Sequence, residues 1–126
     1  MSGNPVACSA GVATLDLLTT ESYVALEKSA ALLEDGLREA IASAGVHATV
    51  QRVGSLLTMF FGVDEVRDFT TASRSDTAAF ARFFRAMIAR GVNLPPSQFE
   101  AWFLSLAHGT TEVELLVEAT RQALRA

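Results

Sequence analysis

Hydrophobic positions recur at helical spacing in three parts of the chain. Each set falls on one side of a helix, and such an amphipathic pattern is typical of helices that pack against a core. The three stripes are Leu26, Ala30, Leu33, Leu37 and Ile41; Phe80, Phe83, Phe84, Met87 and Ile88; and Val113, Leu116, Val117, Thr120 and Leu124. Gly36 interrupts the first stripe, at a cost of about 1 kcal/mol relative to alanine.

Local signals mark the ends of these helices. Thr20 is positioned to cap the first helix, and Gly45 stands where a left-handed residue ends one. Gly91 ends the second helix. Thr111 and Glu114 match a capping box at the start of the third helix.

Between the first two stripes the pattern changes to that of strands. Residues 46–53 are rich in β-branched side chains, Gly54-Ser55 is a turn signal, and residues 56–61 are apolar on both faces. This predicts a β-hairpin whose second strand is central and covered. Pro95-Pro96 favours an extended segment, and residues 102–106 are predicted to form a third strand.

Two further segments complete the predicted organisation. Residues 64–75 are polar without a clear period and are predicted to form a loop. Pro5 suits the first position of a helix over residues 6–18, which has no polar face and is therefore expected to be buried on most sides. The predicted fold class is α+β: a small antiparallel sheet of about three strands, covered by helices, with an N-terminal apolar connecting helix.

Composition excludes several classes of function. The 126 residues carry a net charge of −4, and the basic residues are scattered, which argues against nucleic acid and against an anionic membrane surface as partners. No apolar run approaches the ~20 residues that span a bilayer, and the N-terminus does not have the pattern of a signal peptide. Cys8 is the only cysteine, so nothing indicates an internal disulfide, and we expect a cytoplasmic protein.

The residues that could carry chemistry are few. Lys28, the single lysine, lies off the apolar stripe beside Glu27 and is expected to be a charged surface residue. His47 and His108 are far apart in the sequence, which disfavours a metal site, and none is predicted. His108 is interpreted as a helix-start or core residue, and Ser55 as a turn residue.

Four blocks, in order along the chain, carry a resemblance to a known family. They are Ser2-Gly3-Asn4-Pro5; Arg52-Val53-Gly54-Ser55-Leu56 with Phe60-Phe61; Ser75-Asp76-Thr77 with Phe83-Phe84 and Arg90-Gly91-Val92; and Leu94-Pro95-Pro96-Ser97-Gln98-Phe99-Glu100-Ala101 with Ser105-Leu106-Ala107-His108. Together they resemble the C-terminal part of the glutamate-1-semialdehyde 2,1-aminomutase family, in the class III aminotransferase group of fold-type I pyridoxal-phosphate enzymes. Three positions depart from the family pattern: Pro95 stands in place of alanine, Trp102 in place of a small residue, and Gly109 in place of threonine.

The resemblance implies an enzyme of tetrapyrrole biosynthesis, an isomerase that converts glutamate-1-semialdehyde to 5-aminolevulinate with pyridoxal phosphate. In this family the lysine that holds the cofactor as a Schiff base lies upstream of the matching segment. We therefore expect residues 1–20 to be a connecting turn and helix from a missing cofactor-binding domain, and residues 21–126 to be the C-terminal domain. The parent is expected to be a homodimer, and this chain alone is expected to hold no cofactor and to be inactive.

The resemblance also implies site residues. Glu100 stands where it would repel α-carboxylates and so select the semialdehyde; from the residues alone, a solvated glutamate at the end of a loop is the favoured interpretation. Ser2, Gly3 and Asn4 resemble a segment near the cofactor phosphate, although a helix-starting turn explains them as well. No catalytic residue is predicted within this chain.

Two alternatives stay open. One is a stand-alone, non-catalytic interaction or dimerisation module. The other is a fragment of a related ω-aminotransferase that acts on a different amine.

Overall fold

A β-hairpin forms two of the three strands of the sheet in the computed structural model, which describes residues 3–126. The elements follow in the order α1 (Pro5–Asp16), α2 (Thr20–Ala44), β1 (Ala48–Val53), β2 (Leu56–Phe61), α3 (Phe69–Ala72), α4 (Thr77–Ile88), β3 (Trp102–Phe103) and α5 (Thr110–Ala123). The predicted α+β class with a three-stranded antiparallel sheet is confirmed.

The sheet has the order β1-β2-β3, with both pairs antiparallel. The central, covered position predicted for β2 is confirmed, because its residues from Leu57 to Phe61 are all buried. The turn predicted between the hairpin strands is also present, with Gly54 at φ +58°.

The third strand is much shorter than predicted, ending at Phe103 instead of residue 106. The chain leaves the sheet because residues 105–108 form a turn of their own. The Ser105 backbone N–H donates to His108 Nδ1 over 3.1 Å, and the His108 N–H donates to the Ser105 carbonyl over 3.0 Å. These local bonds replace the ladder that a longer strand would need.

Helices α2, α4 and α5 pack on one face of the sheet and close the hydrophobic core. The core combines the predicted stripes with the inward side chains of the strands, and includes Leu33, Leu37, Val50, Leu57, Met59, Phe61, Phe80, Phe83, Met87, Trp102, Val113 and Val117. Five predicted stripe members lie at its margin: Ile88, the last residue of α4, is exposed, and the half-buried ones are Leu26, Phe84, Leu116 and Leu124.

Two predicted helix caps are wrong by one or two residues. Thr19 caps α2, not Thr20: Thr19 has an extended backbone and its hydroxyl accepts from the Ser22 N–H over 3.3 Å, whereas Thr20 is already helical. At α5, the Glu112 carboxylate accepts from the Gly109 N–H over 2.9 Å, so the predicted pairing of Thr111 with Glu114 does not form the cap.

The predicted loop at residues 64–75 contains one short helix, α3. Asp68 caps it by accepting from the Thr71 N–H over 2.8 Å, and the Thr71 hydroxyl accepts in return from the Asp68 N–H over 3.1 Å. A reciprocal cap of this kind satisfies free backbone donors at a helix start. It allows one turn of helix where no apolar period exists.

Gly36 lies where α2 packs directly against Val117 of α5. A Cβ at this position would be 2.4 Å from a Val117 methyl carbon and 3.3 Å from the Val117 Cβ. The glycine is therefore a packing requirement, which outweighs its cost in helix propensity.

Helix α1 contradicts the expectation of burial. It begins at Pro5 as predicted, but none of its residues is buried within residues 3–126, and Val6, Val12 and Leu15 are 79%, 59% and 67% exposed. An apolar helix without a polar face has nothing in the described structure that covers it.

Candidate functional site

Within residues 3–126, α2, α4 and α5 contribute to the core on one face of the sheet, and we call the opposite face the open face. The strand register places Val53 opposite Leu56 and Leu56 opposite Phe103, so these three side chains point to the same side, away from the core. They are 80%, 37% and 72% exposed, respectively. On the same face, Thr58 and Phe60 are buried.

Glu100 lies at the rim of the open face. It ends a tight turn in which the Glu100 N–H donates to the Ser97 carbonyl over 3.2 Å, and the Phe99 N–H donates to the Ser97 hydroxyl over 3.2 Å. The next residue, Ala101, borders a shallow depression on the open face beside Leu56. The Glu100 side chain is exposed, so its carboxylate is accessible at this rim.

Gln98 anchors the turn that carries Glu100. It is 3% exposed, and its Nε2 donates to the Met59 carbonyl of the central strand over 2.7 Å. Reasoning from the sequence missed this residue, because its neighbours Ser97, Phe99 and Glu100 carried the motif. The sequence signal that could have found it is a polar residue placed between Pro95-Pro96 and the strand that begins at Trp102.

Two aromatic rings stand beside the turn. The ring centroids of Phe69 and Phe99 are 6.0 Å apart with an interplanar angle of 55°, and the side chains are 74% and 46% exposed. Together with the open face, they extend the uncovered apolar surface around Glu100.

The residues predicted near a cofactor phosphate are only partly described. Ser2 lies outside the described residues. Gly3 has φ +86°, and the Asn4 carboxamide oxygen accepts from the Val6 N–H over 2.9 Å and caps α1. This geometry fits a helix-starting turn, and the role toward a cofactor stays a prediction.

An ion-pair network joins α2 to the hairpin. Arg52 Nε donates to Glu34 over 2.6 Å, Arg52 Nη1 donates to Glu27 over 2.7 Å, and Arg38 Nη2 donates to Glu34 over 2.7 Å. Hydrogen bonds from Arg52 and then from Arg38 lower the pKa of the Glu34 carboxyl, while the same bonds to Glu34 and Glu27 raise the pKa of Arg52. Arg52 of the second motif block therefore has a structural role, since its ion pairs join β1 to α2.

That this chain alone holds no pyridoxal phosphate stays a prediction, and the position of its single lysine bears on it. Such a site needs a lysine in a pocket, and Lys28 is exposed on α2. Among residues 3–126, no group of three or more potential metal ligands comes together, and none of the described helices is long and apolar enough to cross a membrane.

His108 lies in the turn before α5, as its interpretation as a helix-start residue predicts. Its Nδ1 accepts from the Ser105 N–H. Because Nδ1 is an acceptor in this bond, a neutral ring carries its proton on Nε2. The residue shapes the chain between β3 and α5.

Curated relatives of the chain share one name. The chain is 53% identical over 125 residues to glutamate-1-semialdehyde 2,1-aminomutase of Thermomicrobium roseum, and 52% identical over 126 residues to that of Sorangium cellulosum. These matches cover 98% and 100% of the chain but only 29% of each relative. The chain thus spans less than a third of the relatives' length, and the resemblance stated from its motifs is confirmed. No protein-family model matches the chain.

Solved structures agree on the fold. An ω-transaminase from Sphaerobacter thermophilus superposes with a TM-score of 0.84 at 28% identity, over 98% of this chain and 28% of that one. A glutamate-1-semialdehyde aminomutase from Pseudomonas aeruginosa has the same fold, with a TM-score of 0.75 at 22% identity, over 86% of this chain and 24% of that one.

Proposed function

We propose that this chain is the C-terminal domain of a glutamate-1-semialdehyde 2,1-aminomutase. It aligns over 98% of its length with a segment that makes up 29% of the length of such an enzyme. The whole enzyme would convert glutamate-1-semialdehyde to 5-aminolevulinate. The observation that carries the proposal is the position of Glu100, on a fixed turn at the rim of a sheet face that lies uncovered in this chain.

The uncovered surfaces support a role as one domain of a larger protein. Apolar patches above a few hundred Å² usually mark contact sites, and both α1 and the open face present exposed aliphatic or aromatic side chains. Residues 1–20 would connect to the cofactor-binding domain, residues 21–126 would form the C-terminal domain, and the open face would look toward the cofactor-binding domain. A homodimer is part of the same proposal.

Glu100 would act by repelling a second carboxylate. Two like charges ~4 Å apart cost about 4 kcal/mol near a protein surface at an effective dielectric constant of about 20. Since about 1.4 kcal/mol is a tenfold change in an equilibrium constant, this repulsion is ample to exclude the α-carboxylate of an ordinary amino acid. A substrate with an aldehyde or amine in that place would not meet it.

The cofactor chemistry would come from outside this chain. Pyridoxal phosphate acts as an electron sink for the substrate, and its lysine would belong to the part of the enzyme that precedes these residues. The role of this chain is to close one side of the pocket and to place a negative charge there.

A chimera tests the proposal. The matching 29% of the Thermomicrobium roseum aminomutase is replaced by this chain, and formation of 5-aminolevulinate from the semialdehyde is measured. Activity of the chimera is expected, because a domain that is homologous throughout should form the same contacts. A folded, cofactor-loaded chimera without activity would contradict the proposal.

The selectivity role is tested with Glu100→Gln in this chimera. Removing the charge should raise half-transamination of ordinary α-amino acids by about tenfold or more relative to the semialdehyde. Glu114→Gln, which removes an exposed charge on α5, is the matched control and should change neither rate. An equal change for both substrates would show that Glu100 does not discriminate between them.

The isolated chain is expected to form no stable adduct with pyridoxal phosphate. The cofactor is titrated into the chain, and absorbance near the Schiff-base band is recorded after dialysis. A stoichiometric band that survives dialysis and disappears in Lys28→Ala would overturn this expectation.

A related ω-aminotransferase is the second candidate, favoured by the TM-score of 0.84 and 28% identity to an ω-transaminase. The same chimera distinguishes the two functions when it is assayed with simple amines as donors. Turnover of such amines that exceeds conversion of the semialdehyde would favour the ω-aminotransferase.

A further inference from the structure

The central strand β2 has a buried carbonyl that its neighbouring strands leave open. The Gly62 N–H donates to the His47 carbonyl, and alternate pairs along the hairpin exchange bonds in the same way. Val50 and Met59 are opposite each other in the other kind of pair, so their backbone groups point away from each other. The Met59 carbonyl therefore faces the side on which β3 lies.

The third strand does not reach that carbonyl. It pairs only Trp102 with Leu57 and Phe103 with Leu56, and residues 97–101 before it leave the sheet in the turn that ends at Glu100. A buried carbonyl without a donor costs about 1–3 kcal/mol. Gln98 Nε2 meets this need at 2.7 Å, and so its side chain takes the place of a backbone N–H of the third strand.

The geometry points to Gln98 as a positioning residue for Glu100, an inference that rests on the selectivity role proposed above. Gln98 is 3% exposed and fixed to the most buried strand, and Glu100 is two residues away on a turn closed by its own N–H to Ser97. The amide orientation is determined as well, because a carbonyl only accepts and Nε2 must face it. The bond thus sets how far the Glu100 carboxylate stands from the open face.

The length of the glutamine side chain is part of this inference. Asparagine is one methylene shorter, so its amide would reach the Met59 carbonyl only if the turn moved toward β2. Methionine is close to glutamine in length and prefers burial, but it has no N–H to donate. The two substitutions change the position of the turn in different ways and preserve most of the side-chain volume.

The test uses Gln98→Met in the chimera, with and without Glu100→Gln. The ratio of α-amino acid to semialdehyde reactivity should rise by up to about tenfold in Gln98→Met, which corresponds to the loss of one buried hydrogen bond. In the Glu100→Gln background, the same change should leave the ratio unaltered, because the charge that Gln98 positions is already absent. Gln122→Met, at an exposed glutamine of α5, is the control for the chemical change alone.

Three outcomes separate this inference from the proposed function. A shift with Glu100→Gln but none with Gln98→Met overturns the positioning role and leaves the proposed function standing. Shifts that add in the double variant show that Gln98 acts otherwise than through Glu100, and also overturn it. If Glu100→Gln itself changes nothing, the selectivity role is what fails.

A second measurement tests the positioning role directly, without an activity assay, and remains possible if Gln98→Met does not fold. Gln98→Asn retains the amide, and hydrogen exchange at the Glu100 N–H is followed by NMR in this chain. Faster exchange at Glu100 than in the unsubstituted chain, with unchanged exchange in β1 and β2, is expected. Unchanged exchange at Glu100 would overturn the inference, because the turn would then keep its place although the side chain at position 98 is too short to reach Met59 from it.

Discussion

The two faces of the sheet differ in how far helices cover them. On the helix-covered face, Val50, Met59 and Trp102 are 1%, 0% and 4% exposed, respectively, and are surrounded by α2, α4 and α5. On the open face, Val53 and Phe103 are 80% and 72% exposed. The strand register also shows a difference in composition: the open face mixes its apolar side chains with Thr49, Gln51 and Thr58, whereas Arg52 is the polar strand residue on the helix-covered face.

The comparison teaches that the chain contains two kinds of apolar surface. The helix-covered face supplies the folding energy of the domain, because burial of apolar area is the main favourable term. The exposed part of the open face, at Val53 and Phe103, contributes little to this folding, and it is available to a partner. The following predictions test this division, from the largest expected effect to the smallest.

Truncation of a core side chain should have the largest effect. Met59→Ala is expected to lower the free energy of unfolding by about 2–5 kcal/mol, because it leaves a cavity in a closed core. Phe103→Ala, on the open face, should change it by no more than about 0.5 kcal/mol. Urea denaturation of the two variants measures both values, and similar losses would refute the division into two faces.

Addition of a methyl group to Gly36 should have the second-largest effect on the free energy of unfolding. Gly36→Ala is expected to destabilise the domain by about 1–3 kcal/mol despite its better helix propensity, because the new Cβ would meet Val117. Gly11→Ala is the matched control, since a Cβ there meets nothing within 4 Å. Thermal unfolding followed by circular dichroism compares them; a stabilised Gly36→Ala would show that α2 and α5 can separate without cost.

The ion pairs of Glu34 should make the free energy of unfolding depend on pH in the acid range. The pKa of Glu34 is lowered in the folded state, so its contribution is present above the unfolded value near 4.5 and is lost as the pH falls through the folded pKa. Glu34→Gln should lower the free energy of unfolding at pH 7 by about 1–2 kcal/mol and flatten its dependence at acid pH. Glu65→Gln, which removes an exposed ion-pair partner, is the control and should retain the acid dependence of the unsubstituted chain.

The smallest effect on stability should come from α1. Replacing Val12 and Leu15 by glutamine is expected to change the free energy of unfolding by no more than about 0.5 kcal/mol, since neither residue is buried. The same change should weaken self-association of the chain, which sedimentation velocity measures over a range of concentrations. The prediction fails if the unsubstituted chain is monomeric at high concentration while α1 stays ordered.

Periodicity predicted the elements whose signals are local. The hairpin turn at Gly54, the apolar strand β2 and the three long helices follow from side-chain spacing, because residues close in sequence determine which face of an element is apolar. The α3 helix was missed for the same reason: its four residues, Phe69–Ala72, are too few to show a period. The cap at Thr19 was displaced by one residue because two adjacent threonines offer the same hydroxyl.

The sequence by itself determined the fold class, the α5 and hairpin segments, and the resemblance that led to Glu100. Only the tertiary structure decided which apolar surfaces are covered, because coverage depends on elements distant in the chain: Val117 makes Gly36 a packing site, and the absence of a helix over Phe103 leaves one face open within residues 3–126. It also decided that Gln98 reaches the Met59 carbonyl, a contact across 39 residues. A hydrogen bond of this kind requires two chain segments to be brought together by the packing of the whole core, and no local pattern records it.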